Sequence, residues 1–297
     1  MGWHMRKLSV KQRQNLTGWA FLTPAVVLLI VLNFMPLIQA FFLSLETGRG
    51  SNMEFTGFSN YARMFRDPNF IQTVKTTLLY MVVTVPVMIV IGIVLAVLLN
   101  DPRLKLKGIY RTCIFLPAAV SLVASAIIFR SLFAMDGFVN AVLLKLGVIQ
   151  TSFNFLGHPD SAKVILIIMR IWRWVGYQMI FFLAGLQNID DSLYEAARID
   201  GATSFQCFRK ITLPLLKPMI LFTTVMCLNS ALQVYDESVN LTGGGPGTTT
   251  MALAHYVYNT SFVNVPNFGY SCAMSMMILV FVAVMTFIQM KAGDTRE

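Results

Sequence analysis

Six apolar runs, at residues 16–45, 73–99, 109–133, 163–187, 215–235 and 269–290, dictate what this chain can become. Each reaches the ~20 residues that an α-helix needs to cross the hydrocarbon core of a bilayer. Lipid offers no water to backbone N–H and C=O groups, so spanning runs of this length are expected to be helices. The composition agrees, at 56% hydrophobic and 12% charged, about half the charged fraction of a soluble domain. Pro24 and Pro36 fall inside the first run and should bend or interrupt it. That run is too long for a signal peptide and lacks a small-residue cleavage site, so it reads as an uncleaved span. The expected architecture is an all-α polytopic membrane protein with about six transmembrane helices. A tail at 1–15 precedes a transmembrane domain at 16–290, and a second tail occupies 291–297.

A net charge of +9 invites a nucleic-acid reading, but these cations sit between apolar runs rather than on a soluble face. They orient the chain instead. With the N-terminus inside, Arg6, Lys7, Lys11 and Arg13 are cytoplasmic, as are Arg103, Lys105, Lys107, Arg111, Arg198, Arg209, Lys210, Lys217, Lys291 and Arg296. The outer loops hold only Arg49, Arg63, Arg66 and Lys145, and residues 238–268 hold no Lys or Arg. Both termini are therefore expected in the cytoplasm. The cysteines Cys113, Cys207, Cys227 and Cys272 form no CxxC pair and read as small apolar residues. His4, His158 and His255 are isolated and are expected in loops. The run Gly243-Gly244-Gly245-Pro246-Gly247 promises a tight turn. No Gly-Lys-Ser/Thr phosphate loop occurs, so the chain is expected to bind no ATP and, with no catalytic grouping, to be no enzyme by itself. Outer segments 52–69 and 136–162 should contain short interfacial helices. Within the second, 139–146 is apolar but too short to span.

A charged island of about 25 residues at 188–214 separates the fourth and fifth runs. Its local chemistry reads as helix, turn, helix. Ser192 with Glu195, and Thr203 with Gln206, each have the spacing of a capping box. Gly201 lies between them, where a helix ends in a left-handed residue that glycine adopts cheaply. Phe205, Phe208 and Ile211 recur at three-residue spacing as an apolar stripe, and Pro214 closes the unit. Such a unit serves either as a connector or as a docking surface.

The residues themselves resemble the EAA loop of the permease subunits of bacterial ABC importers: Glu195, Ala196, Ala197, Asp200, Gly201 and Ala202, then Phe208, Ile211, Leu213 and Pro214. The flanks Leu183-Ala184-Gly185-Leu186-Gln187 and Leu241-Thr242-Gly243-Gly244-Gly245-Pro246 look like the carbohydrate-uptake branch, and within it like the maltose-type F subunit. The chain departs from that subunit in lacking a large inserted periplasmic domain. The resemblance, from about Phe21 to Met290, implies a type I ABC importer permease fold in a bacterial inner membrane. It implies that those ten residues couple to an ATPase. Implied partners are a second homologous permease, two cytoplasmic ATPase subunits that hold ATP and Mg, and an external solute-binding protein that delivers a carbohydrate. Glu195 is expected to pair with a basic residue of the ATPase.

Polar residues at membrane depth must face protein or water rather than lipid. The fourth run carries Arg170, Trp172, Arg173, Trp174, Tyr177 and Gln178, and the fifth Asn229, Ser230, Gln233, Asp236 and Glu237. In an unbroken helix 229, 233, 236 and 237 would share one face. For the charged residues an interhelical network is expected, for instance Arg173 with Asp236 or Glu237. Trp172, Gly176, Asn229, Ser230 and Gln233 are expected on the solute path, because the resembled family places its site on these two helices. Val175 and Ala231 are possible apolar lining. Two other classes compete. An ion-coupled secondary transporter would show charged midplane sites and an internal repeat, and a membrane scaffold would have spans poor in polar residues.

Overall fold

A computed structural model describes residues 9–49 and 52–293; Arg6, Lys7, His4 and Arg296 lie outside them. In order, the elements are helices α1 (Val10–Leu29) and α2 (Met35–Ser44), strands β1 (Glu46–Arg49) and β2 (Asn52–Phe55), then α3 (Ser59–Met64), α4 (Pro68–Asn100), α5 (Lys107–Ala119), α6 (Leu122–Leu132), α7 (Phe138–Lys145) and α8 (Pro159–Gln187). There follow α9 (Asp191–Ile199), α10 (Ser204–Cys207), α11 (Leu213–Leu215), α12 (Lys217–Leu232), α13 (Asp236–Thr242), α14 (Leu253–Tyr258) and α15 (Phe268–Gly293). Gln14–Ser44, Pro68–Asn100, Pro159–Gln187 and Phe268–Lys291 are each long and apolar enough to cross a membrane, and two bent pairs bring the total to as many as six. The six-run expectation is met only in that form.

The first correction concerns the third run. It is two helices, α5 and α6, bent by 97°, because Val120 and Ser121 are extended and Ser121 caps α6 by accepting from the Ala124 N–H at 3.1 Å. The second concerns the fifth run. α12 ends at Leu232, and the chain turns at Gln233–Tyr235 before α13 starts. Residues 229, 233, 236 and 237 therefore share no helical face, and Asp236 is exposed where Glu237 is buried. A two-stranded hairpin, β1 with β2, also interrupts the otherwise helical chain. The Asn60 side chain donates to the carbonyls of Ser44 and Glu46 and holds the hairpin at the head of α15.

Proline acts differently from expectation. The run through Pro24 and Pro36 stays one span, with a π-helical turn at Ile30–Phe34 directly before Pro36. A second π turn, Phe208–Thr212, lies just before Pro214, whereas a third, Asn259–Val263, ends its helix and Pro266 lies in the coil that follows. Proline has no N–H and its ring crowds the carbonyl four residues back, so widening the preceding turn lets a helix pass through it. Pro214 thus does not close its unit; the break falls at Leu216, where Ser204–Leu215 and α12 diverge by 65°.

α8 is the spine. Gly92 of α4 meets it where a Cβ would lie 2.8 Å from the Gln178 Cβ. Leu99, Phe182, Leu186 and Leu216 join in one buried cluster with Leu104, Ile189 and Phe208 on its margin. That cluster brings the loops 101–106 and 188–203 to one pole of the bundle, where Arg103, Lys105, Arg198, Arg209, Lys210 and Lys217 collect. At the other pole Tyr80 donates to the Thr250 carbonyl and Thr77 accepts from the Leu253 N–H. The expected glycine turn is there, with Gly243, Gly244 and Gly247 at positive φ. His255 is not in a loop: it is buried on α14, its Nδ1 2.9 Å from the Ser238 hydroxyl, and burial lowers its pKa.

Candidate functional site

At the basic pole, α9 is capped by Asp190, whose carboxylate accepts from the Ser192 N–H at 2.9 Å. Ser192 is therefore the second residue of the helix and no cap, which corrects the first of the two capping boxes. Asp190 wins because a carboxylate beside a helix N-terminus gains from the dipole as well as the hydrogen bond; the same bond lowers its pKa. The second box is as expected, with Thr203 and Gln206 bonded reciprocally at 3.3 and 2.7 Å.

Gly201 sits at φ +76°. The Ala202 N–H donates to Ala197 and the Gly201 N–H to Arg198, the paired bonds of a Schellman closure. That pattern gives Ala197, Gly201 and Ala202 a shared local role: one alanine supplies the carbonyl, the other the donor, and the glycine the reversal. Within the unit the Tyr194 hydroxyl lies 2.9 Å from that of Thr212 and Cys207 is buried, while Ile189 and Phe208 pack against the Phe182, Leu186 and Leu216 cluster of the bundle. Phe208 and Ile211 are half-buried, while Phe205, expected on the same stripe, points outward. Glu195, Ala196, Asp200, Leu213 and Pro214 are exposed. Gly185 lets the far end of the loop close back, since a Cβ there would lie 2.8 Å from Leu216.

The exposed crown of this loop includes two apolar residues, Ile199 at 87% exposure, to which sequence reasoning gave no role, and Phe205 at 70%, which it placed on the stripe. An isoleucine beside Asp200-Gly201 in an otherwise polar helix was the available signal. Between α9 and the following helix an open cavity of about 340 Å³ is lined by Ala197, Gly201, Gln206, Cys207 and Lys210 among others. A surface of this shape, charged and apolar at once, suits a protein partner.

In the middle of the bundle the expected ion pair exists with another arginine. Arg170 Nη1 donates to Glu237 Oε1 at 3.0 Å, Arg170 Nη2 to Ser230 Oγ at 2.9 Å, and Trp174 Nε1 to the same Glu237 oxygen at 3.2 Å. Arg173 instead donates to the carbonyls of Val120 and Pro117 and to Ser125 Oγ. The 97° break frees those carbonyls at a helix C-terminus, and a buried cation satisfies them there.

The five expected path residues are not gathered on one surface. Gln233 and Ser230 are exposed and Asn229 is half-buried. Trp172 turns inward, its ring 5.4 Å from that of Phe129. Gly176 is no lining residue, because a Cβ on it would lie 2.6 Å from the Ile114 carbonyl oxygen; it is where α8 crosses α5. Val175 and Ala231, considered as apolar lining, are buried in the bundle. Tyr177, exposed beside Trp174 with ring centroids 5.5 Å apart, joins the open face instead.

A bent-helix bundle with a rigid, outward-presented loop at its basic pole is the architecture of an importer permease. Residues 88–291 match the family model described as the binding-protein-dependent transport system inner membrane component, and the chain belongs to that family. Over 291 residues it is 45% identical to the lactose transport system permease protein LacF of Rhizobium radiobacter, covering 97% of this chain and 98% of that one. It is 33% identical to the trehalose/maltose transport system permease protein MalF of Thermococcus litoralis, covering 97% of each. Among solved structures it resembles a chain of a bacterial alginate ABC transporter in complex with an alginate pentasaccharide-bound periplasmic protein. The TM-score is 0.84 at 25% identity, covering 93% of each chain.

Proposed function

We propose that this chain forms one half of the transmembrane pathway of a carbohydrate importer and couples it to a cytoplasmic ATPase. The observation that carries the reading is the Schellman-closed loop, which puts Glu195, Ile199 and Phe205 on the outside of a unit anchored to α8 and α12. Sugar-transport permeases among its relatives support the substrate class. The other half is a second, homologous permease. Two ATPase subunits hold ATP and Mg, this chain binds no cofactor, and an external binding protein delivers the solute. ATP-driven closure of the ATPases moves the loop and tilts α8 against α12, so that the path turns from one face to the other; such coupling needs contacts that differ between the two states.

Both termini and the 188–214 loop lie in the cytoplasm on this reading, supported by the number of Lys and Arg residues at that pole against none in 238–268. In a cysteine-free version, Ser204→Cys should react with an impermeant thiol reagent only from the cytoplasmic side and Thr248→Cys only from outside; the reverse at either position overturns the topology.

The solute meets Asn229, Ser230 and Gln233 at the end of α12, with Tyr177 available to stack on a sugar ring. Gln233→Leu and Asn229→Leu should each lower uptake roughly tenfold, the worth of one or two hydrogen bonds, with the assembled complex retained. Normal uptake in both variants would place the path elsewhere.

A further inference from the structure

The cluster under Ser230 holds two full charges that a path for an uncharged sugar does not need. The Arg170 side chain is 1% exposed, yet it lies only one residue behind an open surface, because its Nη2 group is bonded to the hydroxyl of exposed Ser230. Exposed Tyr177 has its ring beside Trp174, and Trp174 in turn donates to Glu237. The Nε of Arg170 has no partner, so the guanidinium is not fully satisfied. Its charge is offset by one group among the described residues, the Glu237 carboxylate at 3.0 Å. Arg173, the other guanidinium at this depth, is held at the α5–α6 break.

An ion pair is a poor source of stability here, since desolvation consumes most of its Coulomb gain. It does control the field at the adjacent surface, where a unit charge acts strongly at short range through a low-dielectric wall. We infer that Glu237 sets the charge class of the solute: by cancelling Arg170 behind Ser230 it keeps this wall neutral and selects uncharged over acidic saccharides. The inference rests on the reading that the path carries a saccharide. Glu237 acts through Arg170 and is a specificity-determining residue without touching the sugar. Removing the carboxylate unmasks a cation that favours an acidic sugar. Removing the guanidinium unmasks an anion that favours an amino sugar.

The test uses the purified complex of both permeases with the ATPases, without binding protein, and three isosteric probes: lactose, its analogue with the galactose C6 oxidised to a carboxylate, and its 6-amino-6-deoxy analogue on the same ring. Each competes against labelled lactose. Wild type should prefer lactose to both charged probes. Glu237→Gln should improve the acidic probe relative to lactose by about tenfold, and Arg170→Gln should do the same for the amino probe. The double variant Arg170→Gln/Glu237→Gln, which buries no unpaired charge, should return to the neutral preference. Either single variant decides the matter. Should neither assemble, Ser230→Asp, which sets an acid on the open side of the intact pair, should favour the amino probe. Ratios within twofold of wild type in the variants that assemble, or a double variant that keeps a single variant's shift, would overturn the inference. A wild-type complex that binds none of a panel of neutral mono- and oligosaccharides, lactose included, and neither charged probe would overturn the saccharide reading and this inference with it.

Discussion

Gly201→Val is expected to yield a permease that inserts and folds but no longer couples ATP hydrolysis to uptake. Gly201 has φ +76° with open space where a Cβ would go, so the penalty is conformational. A left-handed residue with a Cβ costs roughly 1–2 kcal/mol, and a β-branched one sits at the upper end. The chain escapes by leaving the left-handed region, which breaks the Ala202-to-Ala197 bond and rotates α10 against α9. Ile199 and Phe205, which flank the turn, then no longer present one surface. A docking surface that loses a central apolar contact commonly weakens by more than 1 kcal/mol. Attachment of the ATPase should fall about tenfold, and uptake per ATP with it. Glu195→Lys should act alike by reversing an exposed charge at the same crown. Co-purification, ATP turnover and uptake measured on one preparation separate the possibilities. Wild-type values of all three in both variants would make the loop a mere connector.

Gly176→Val should act on folding itself. A Cβ at this position meets the Ile114 carbonyl oxygen at 2.6 Å and the Phe115 Cα at 2.9 Å. Both are backbone atoms of α5, so no rotamer change relieves the clash and the helices must part. Overpacking of this kind costs on the order of 3 kcal/mol, a fall of roughly 5 °C in Tm for a chain of this size. The movement would also pull Arg173 from the carbonyls it satisfies at the break, since it is one turn from Gly176 on α8. Gly108→Ala, on α5 with nothing within 4 Å, should leave Tm within about 2 °C. Equal melting of both variants would mean that the α5–α8 crossing is less close than described.

What the sequence revealed follows what is local. Gly201, Thr203 and Gln206 specify their turn and cap within six residues, and apolar length alone placed the six runs. The error at Ser192 came from two caps competing within three residues, Asp190 and Ser192, which spacing cannot rank. The bends were harder. Pro117 and Ser121 mark 109–133 as breakable, but they do not say that Val120–Ser121 will turn the chain, because the stabilising partner, Arg173, lies about fifty residues away. The ion pair failed for the same reason: Arg170 and Arg173 are both candidates by composition, and only the break decides which one is left for Glu237. Gly176 is expected on the path because the resembled family places its site on these two helices, which says nothing of which face of the helix a residue takes. The space beside it is filled by the backbone of α5.

The most direct test is ATP-driven uptake from a panel of labelled mono- and oligosaccharides into proteoliposomes holding this chain, its partner permease and the ATPases, with the cognate binding protein outside. Accumulation that requires both ATP and the binding protein, survives a protonophore and is lost in Gly201→Val is the expected result. Accumulation that proceeds without ATP and collapses with the proton gradient would contradict the account and make the chain an ion-coupled transporter.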